Sequence, residues 1–302
     1  MGFDAIATFS LTAAMFLWGS SFIALKLAFQ QYDPMVVIFS RMALASICFL
    51  PFLLKFRPSL PARGDLKYFM FMAFCEPCLY FLFEAKAIES TTASQAGMIT
   101  AMLPLLVAVS ARFFLKEHIT GKTMAGFVVA IAGAVWLSIS GESNDSAPNP
   151  PLGNFLEFLA MVAATGYIIT LKRLTRDYSP FFLTAIQAFI GSLFFFPFLW
   201  LPSTTLPIQF DPIPAGSVVY LGTAVTMGAY GLYNFGVSRL PASQASAFVN
   251  LIPVFTVLLG WLILGERFTA PQYIASIVIF AGIFLSQAGN GRERMAKDAL
   301  PA

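Results

Sequence analysis

Five charged side chains stand out within runs that are mostly apolar: Arg41, Glu76, Glu84, Lys86 and Glu157. A charge near the centre of a bilayer costs about 2.5–3.5 kcal/mol on insertion scales, so such residues face a cavity or a partner. A carboxylate in that setting can pair with a cation, receive the cationic group of a ligand, or carry a proton. Pro77 follows Glu76 and is expected to free a carbonyl and bend the helix. Glu76, Tyr80 and Glu84 recur at i, i+4 and i+8, which predicts one shared helix face. Met227, Tyr230 and Asn234 recur at i, i+3 and i+7 in a later run, again predicting one face. Tyr and Asn there could supply hydrogen bonds inside an apolar cavity, or bond helix to helix. Trp18 and Tyr167 stand near the middle of their own runs, as aromatic walls of such a cavity or as packing.

Other chemistries find little support. Cys75-Glu76-Pro77-Cys78 has CxxC spacing, but no second Cys or His pair completes a metal site. The three cysteines, Cys48, Cys75 and Cys78, sit in apolar runs and read as small hydrophobes. The one histidine, His118, falls in a joint between runs. No HExxH, Walker A or Ser–His–Asp arrangement is legible, so no cofactor and no metal is expected, and the chain does not read as an enzyme.

The elements that hold these residues follow from composition. Of 302 residues, 58% are hydrophobic and 11% charged, against roughly 25% charged in an ordinary soluble domain. A soluble globule could not cover that core, and a disordered chain needs the opposite balance. Lys and Arg number 18 against 15 acidic residues, a net +3 that gives no basic face for nucleic acid. An all-α integral membrane protein is left. Ten apolar segments are legible, at 5–28, 34–54, 66–88, 93–115, 121–141, 152–171, 180–201, 216–238, 243–264 and 270–288. A spanning helix takes about 20 residues, so short joints absorb nearly everything else. Asp4 stands where a signal peptide would be basic, so the first run reads as an uncleaved span.

The halves repeat. Leu25-Lys26 aligns with Leu171-Lys172, Tyr32 with Tyr178, Pro34 with Pro180, and Pro51-Phe52-Leu53 with Pro197-Phe198-Leu199. Ala93-Ser94-Gln95-Ala96 aligns with Ala242-Ser243-Gln244-Ala245, Pro104 with Pro253, Glu117 with Glu266, and Ala132-Gly133 with Ala281-Gly282. Five spans per repeat is an odd number, so the second repeat enters from the opposite side. The charges agree. With the N-terminus in the cytoplasm, that side collects Lys55, Arg57, Arg63, Lys67, Arg112, Lys116, Lys122, Lys172, Arg173, Arg176, Arg239, Arg292, Arg294 and Lys297. The outside receives Lys26, Lys86 and Arg267, the bias of the positive-inside rule. Inverted repeats are the architecture of secondary transporters, in which two opposed halves exchange inward-open and outward-open shapes.

These residues resemble the drug/metabolite transporter superfamily, EamA type. Trp18-Gly19 and Arg41 after Pro34 carry part of the likeness. A doubled pattern carries the rest: Thr91-Thr92-Ala93-Ser94, Pro104, Lys116-Glu117 and Ala132-Gly133, then Pro241-Ala242-Ser243, Pro253, Gly265-Glu266-Arg267 and Ala281-Gly282. Glu84 and Lys86 in the third span depart from the commoner pattern. The resemblance implies ten transmembrane helices in two inverted five-helix repeats around a central cavity, with export of metabolites or amino acids as the commonest activity. The expected division is a first EamA-like repeat at 1–141, a linker at 142–151, a second repeat at 152–290 and a basic cytoplasmic tail at 291–302.

The expected function is therefore alternating-access transport of a small amino-acid-like or amphipathic solute, in the direction of export, across the inner or plasma membrane. A channel or facilitative pore, or a membrane-embedded enzyme, is the alternative. Both termini are expected in the cytoplasm, lipid is the surrounding partner, and a monomer is expected to suffice. Glu76, Tyr80, Tyr230 and Asn234 are the expected substrate contacts, with Trp18 and Tyr167 as walls. Helical rise places Glu76 about 18 Å deep, where it could bind a cationic group or carry a proton, or bond a neighbouring carbonyl. Arg41, Glu84 and Glu157 fall about 6–10 Å from the outer face. Arg41 is expected to pair there with Glu84 or Glu157, as an outer gate, as a contact for a charged substrate end, or as structure alone. Gln95 and Gln244 read as interhelical bonds. Glu117 and Glu266 read as complements to the N-terminal end of the helix that follows each.

Overall fold

The computed structural model describes residues 4–56, 62–115 and 121–298. Among these residues there is no strand, and ten helices follow one another. They run over Ala5–Phe29, Pro34–Phe56, Leu66–Ser90, 93–115, Gly121–Ile139, Pro150–Leu174, Pro180–Trp200, 212–239, 242–264 and Ala270–Asp298. Eight of them are long and apolar enough to cross a membrane. The tenth is apolar over Ala270–Ser286, and the eighth carries Tyr220, Thr223, Thr226, Tyr230 and Asn234.

The helix starts are written locally. Asp4, Thr92, Asn149, Ser179 and Asp211 each accept a hydrogen bond from a first-turn amide at 3.0–3.3 Å. Such residues satisfy donors that the helix leaves free. Proline follows the cap at Pro150, Pro180 and Pro212, where a missing N–H is harmless. The carboxyl of Asp4, bonded first by the Ala7 amide and then by Arg239, is held below its usual range.

Bonds between joints sort them onto two faces. On one, Arg239 meets Asp4 at 3.2 Å and Tyr178 donates to Asp65 at 2.9 Å. On the other, Lys26 donates to the Ser146 carbonyl, the Asn149 amide to the Ser90 carbonyl, and the Asp211 amide to Tyr32 Oη. Alternate joints thus share a face, as a chain crossing ten times requires.

Packing shows the inversion directly. The third helix packs on the sixth and the first on the eighth; the first packs on the ninth and the fourth on the sixth. Exchanging the repeats turns each of these contacts into its partner. The second and seventh helices pair, as do the fourth and ninth and the fifth and tenth, and these pairs map onto themselves. Irregular turns match as well. A wide-turn stretch interrupts the third helix at Phe74–Leu79 and the eighth at Leu221–Ala229. Tight 3-10 turns interrupt the fourth at Thr100–Met102 and the ninth at Phe248–Leu251. Mid-helix departures of this kind mark functional sites and hinges.

The fifth and tenth helices form a separate pair. Built Cβ atoms on Gly126 and Gly282 would come within 2.4–2.5 Å of the opposite backbone, so only glycine permits this approach. Their interface adjoins the apolar cluster of Met98, Ile99, Met102, Leu105, Leu137, Ile279 and Ile283. Large apolar side chains such as Phe9, Ile47, Phe71, Leu193 and Phe284 point outward. On a soluble protein they would be a liability; here they form the lipid-facing surface.

Candidate functional site

Helices one to four, six, eight and nine surround a small central cavity. Trp18, Arg41, Glu76, Tyr80, Glu84, Tyr167 and Tyr230 all line it, so residues of both repeats meet at one place. Phe22, Leu103, Met161, Val249 and Ile252 supply an apolar wall.

Glu76 sits where the third helix breaks. Its backbone is extended, with φ −149° and ψ 114°, inside an otherwise helical stretch. The spacing Glu76–Tyr80–Glu84 therefore does not describe one regular helix face, as the sequence predicts. Pro77 removes the amide that would continue the ladder, and the wide turn carries Glu76 inward. The freed Glu76 carbonyl is used: Gln187 Nε2 donates to it at 3.1 Å. The Glu76 carboxylate accepts from Tyr230 Oη at 2.5 Å. Tyr80 Oη donates to Glu84 at 3.0 Å.

Arg41 is 2% exposed. Its Nη1 lies 3.8 Å from Glu84 Oε2, an ionic contact too long for a hydrogen bond. Its Nε donates to Thr226 Oγ1 at 3.1 Å, and its guanidinium carbon lies 4.2 Å from the centre of the Phe81 ring. Glu157 is fully buried and bonds to nothing among the described residues. Lys86 does not belong with these charges. It is exposed and pairs with Glu89 at 2.7 Å, one turn on, near the end of the third helix.

Trp18 packs edge-on against Tyr230 at 5.1 Å and tilts against Tyr233 at 4.7 Å. The Trp18 indole N–H and the Tyr233 hydroxyl are buried beside the cavity without hydrogen-bond partners among the described residues. Tyr167 lines the cavity with its ring and donates its hydroxyl to Asn234 Oδ1 at 2.5 Å. Asn234 itself stands behind that wall. Its amide donates to Thr184 at 2.9 Å and Gln187 at 3.3 Å, so it positions Tyr167 and is spent on protein contacts. Met227 is not on the same face as Tyr230. The wide turns of 221–229 shift the register, and Met227 packs against the Ala45, Phe49, Ala185 and Ala188 cluster.

Two structural glutamates were expected at helix starts. Glu266 does cap a helix, but the fourth and not the tenth that follows it. Its carboxylate accepts from the amides of Ala93 at 2.9 Å and Ser94 at 2.8 Å. Glu117 lies outside the described residues. Gln95 accepts from Asn154 at 2.9 Å, bonding the fourth helix to the sixth. Gln244 is exposed.

Tyr233, Thr226 and Gln187 have roles at the site that sequence reasoning missed. Gln187 carried a signal, as the sole amide in the seventh apolar run. Tyr233 is three residues from Tyr230 and would have been found by extending that face. Thr226 had none, because its bond to Arg41 depends on a break in the eighth helix. Among the described residues no group of three or more His, Cys, Asp or Glu is placed to hold a metal ion.

The profile of the EamA-like transporter family matches residues 5–139 and again 151–287. The uncharacterized transporter YetK of Bacillus subtilis is 27% identical over 297 residues, covering 97% of this chain and 89% of YetK. A Streptantibioticus cattleyicolor protein named as a probable terminal-alkyne amino-acid exporter is 23% identical, covering 96% of both chains. A solved crystal structure superposes with TM-score 0.66 at 18% identity, covering 95% of this chain and 98% of that one, a likeness of fold. The family and the relatives' names point to transport, not to enzymatic catalysis.

Proposed function

The chain belongs to the EamA-like transporter family, within the drug/metabolite transporter superfamily, and we propose that it exports a small amino-acid-like or amphipathic metabolite by alternating access. The membrane is the inner or plasma membrane, with both termini in the cytoplasm, as the distribution of Lys and Arg favours.

One observation carries the substrate reading. The cavity at the junction of the repeats holds unpartnered buried donors, the Trp18 indole and the Tyr233 hydroxyl, together with the carboxylate of Glu76. Buried polar groups without partners are uncommon and call for an occupant. A zwitterion matches this chemistry: its carboxylate would take free donors of Trp18, Tyr233 and Arg41 Nη1, its ammonium would go to Glu76, and its side chain would lie against Phe22, Leu103, Met161 and Ile252. The name of the Streptantibioticus relative supports an amino-acid-like solute and outward movement. Matched breaks in the third, fourth, eighth and ninth helices supply the bending points for exchange between the two open forms.

The test is uptake and counterflow in proteoliposomes against a panel of amino acids, amines, carboxylic acids and neutral amphiphiles, at two pH values. Saturable counterflow by a zwitterion, lost in Glu76→Gln with the protein still folded, is the expected result. Single-channel currents, or a Glu76→Gln variant with wild-type transport and pH response, would overturn it.

A further inference from the structure

Glu157 differs from the other buried acids. Glu76 has the Tyr230 hydroxyl, and Glu84 has Tyr80 and Arg41. Glu157 is 0% exposed, and neither carboxyl oxygen has a hydrogen-bond partner among the described residues. Its helix, the sixth, crosses the third closely. A Cβ built on Gly153 would meet Thr91 and the Ala87 carbonyl at 2.7–2.9 Å. One turn on from Gly153, Glu157 faces the turn that holds Glu84, near enough for the two charges to act on each other. The ionisable groups around Glu157 are Glu84 and Tyr80; around Glu84 they are Arg41, Tyr80 and Glu157, with Glu76 and Tyr230 deeper in the cavity.

Among the described residues one cation, Arg41, contacts Glu84; its Nε is bonded to Thr226 and it lies over the Phe81 ring, while its buried Nη1 has no hydrogen-bond partner. A carboxylate with no donor and no counter-charge in an apolar interior is strongly disfavoured, and a second carboxylate beside it makes matters worse. A neutral carboxyl group avoids both.

We propose that Glu157 is a proton-binding site of this transporter, separate from the cavity carboxylate Glu76, with Arg41 as the counter-charge it acquires when the proton leaves. The proton comes from water on one side of the membrane and returns to water on the other, leaving the carboxylate; no other bond changes. Ionised Glu157 competes with Glu84 for the guanidinium. Arg41 and Glu84 belong to the first repeat, Glu157 and Thr226 to the second. The occupancy of one proton therefore alters a contact between the two halves that must move. This role rests on the transport reading; the binding of the proton does not.

The test is infrared difference spectroscopy of the reconstituted full chain between mildly acidic and alkaline pH, in H2O and D2O. The wild type should show a protonated-carboxyl C=O band that disappears on alkalinisation and shifts down in D2O. Glu157→Gln should lose that band, and Glu76→Gln should keep it. Glu157→Asp, which covers the case of a Gln variant that does not fold, should move the band. No solute is needed, so a failed substrate panel and a failed proton site are separate results. A band that survives Glu157→Gln, stays fixed in Glu157→Asp, fails to exchange with D2O or is missing from the wild type overturns the proposal.

Discussion

Replacing Glu266 by Ala tests whether a loop of the second repeat holds down the start of a helix in the first. Its two carboxylate oxygens take the amides of Ala93 and Ser94 at 2.9 and 2.8 Å. Those amides are first-turn donors with no partner within their own helix. Hydrogen bonds to a charged group contribute about 1.5–3 kcal/mol each, so the pair would be worth about 3–6 kcal/mol if sealed from water. Glu266 is only half-buried, and water can reach the amides once the carboxylate is gone. Halving the figure for that exchange leaves about 1.5–3 kcal/mol. At about 2–4 °C per kcal/mol for a chain approaching this size, the melting midpoint in detergent should fall by about 3–12 °C.

Glu266→Gln sharpens the test. It keeps one neutral acceptor for one amide and loses the charge that favours a helix N-terminus. Its midpoint should fall between wild type and Glu266→Ala. Gly260 leaves the space the carboxylate occupies, since a Cβ there would come within 2.9 Å of Glu266 Oε2 and 2.5 Å of Ser94 Oγ. Gly260→Ala should therefore lower the midpoint too, and should lower it less when combined with Glu266→Ala than the two singles sum to. An unchanged midpoint in Glu266→Ala, or a Gln variant as unstable as the Ala variant, would refute the capping argument.

Other expectations follow from the same geometry. Gly126→Val places a Cβ 2.4 Å from the Gly282 carbonyl; it should destabilise by about 1–3 kcal/mol through overpacking, read as a lower melting midpoint, while transport by the folded fraction persists because the cavity lies elsewhere. Arg41→Met strands Glu84 and should cost about 3–5 kcal/mol, whereas Arg41→Met with Glu84→Leu should recover most of it, as measured by the yield of monodisperse protein and its midpoint. Trp18→Phe keeps an aromatic ring but removes an N–H that has no partner among the described residues. Stability should hold, and the counterflow KM for a zwitterion should rise up to about tenfold, the worth of one neutral hydrogen bond; an unchanged KM would mean the indole touches no substrate.

How much of this was legible in the sequence depends on the scale at which each residue acts. The ten helices follow from runs of apolar residues and from caps such as Asn149-Pro150 and Ser179-Pro180, which depend on immediate neighbours. The inversion follows from counting, because five is odd. Helical rise measured from each helix end survives small errors in boundaries; it puts Arg41 at the level of Glu84 and Glu157, and the structure makes the contact with Glu84. Register is more fragile. Met227, Tyr230 and Asn234 satisfy a regular helical face on paper, yet the wide turns of 221–229 send Met227 to a packing cluster. The same kind of turn at 74–79 brings Glu76 into the cavity by breaking the helix that was expected to present it. Only one of these breaks has a proline to announce it, Pro77. The other coincides with tertiary contacts: Gly222 packs close to Leu44 and the Arg41 carbonyl, and Thr226 accepts from Arg41. Glu266 failed for a related reason. Its neighbours in sequence suggested a cap on the tenth helix, but the fourth helix, distant in the chain, begins beside it. Local rules thus predict well wherever the chain is regular, and the site lies where the repeats meet and regularity gives way. Glu157 makes the point in reverse. Helical rise marks it as one of two carboxylates for Arg41, and the fold gives that contact to Glu84 and leaves Glu157 without a hydrogen-bond partner among the described residues; a proton is the partner proposed for it.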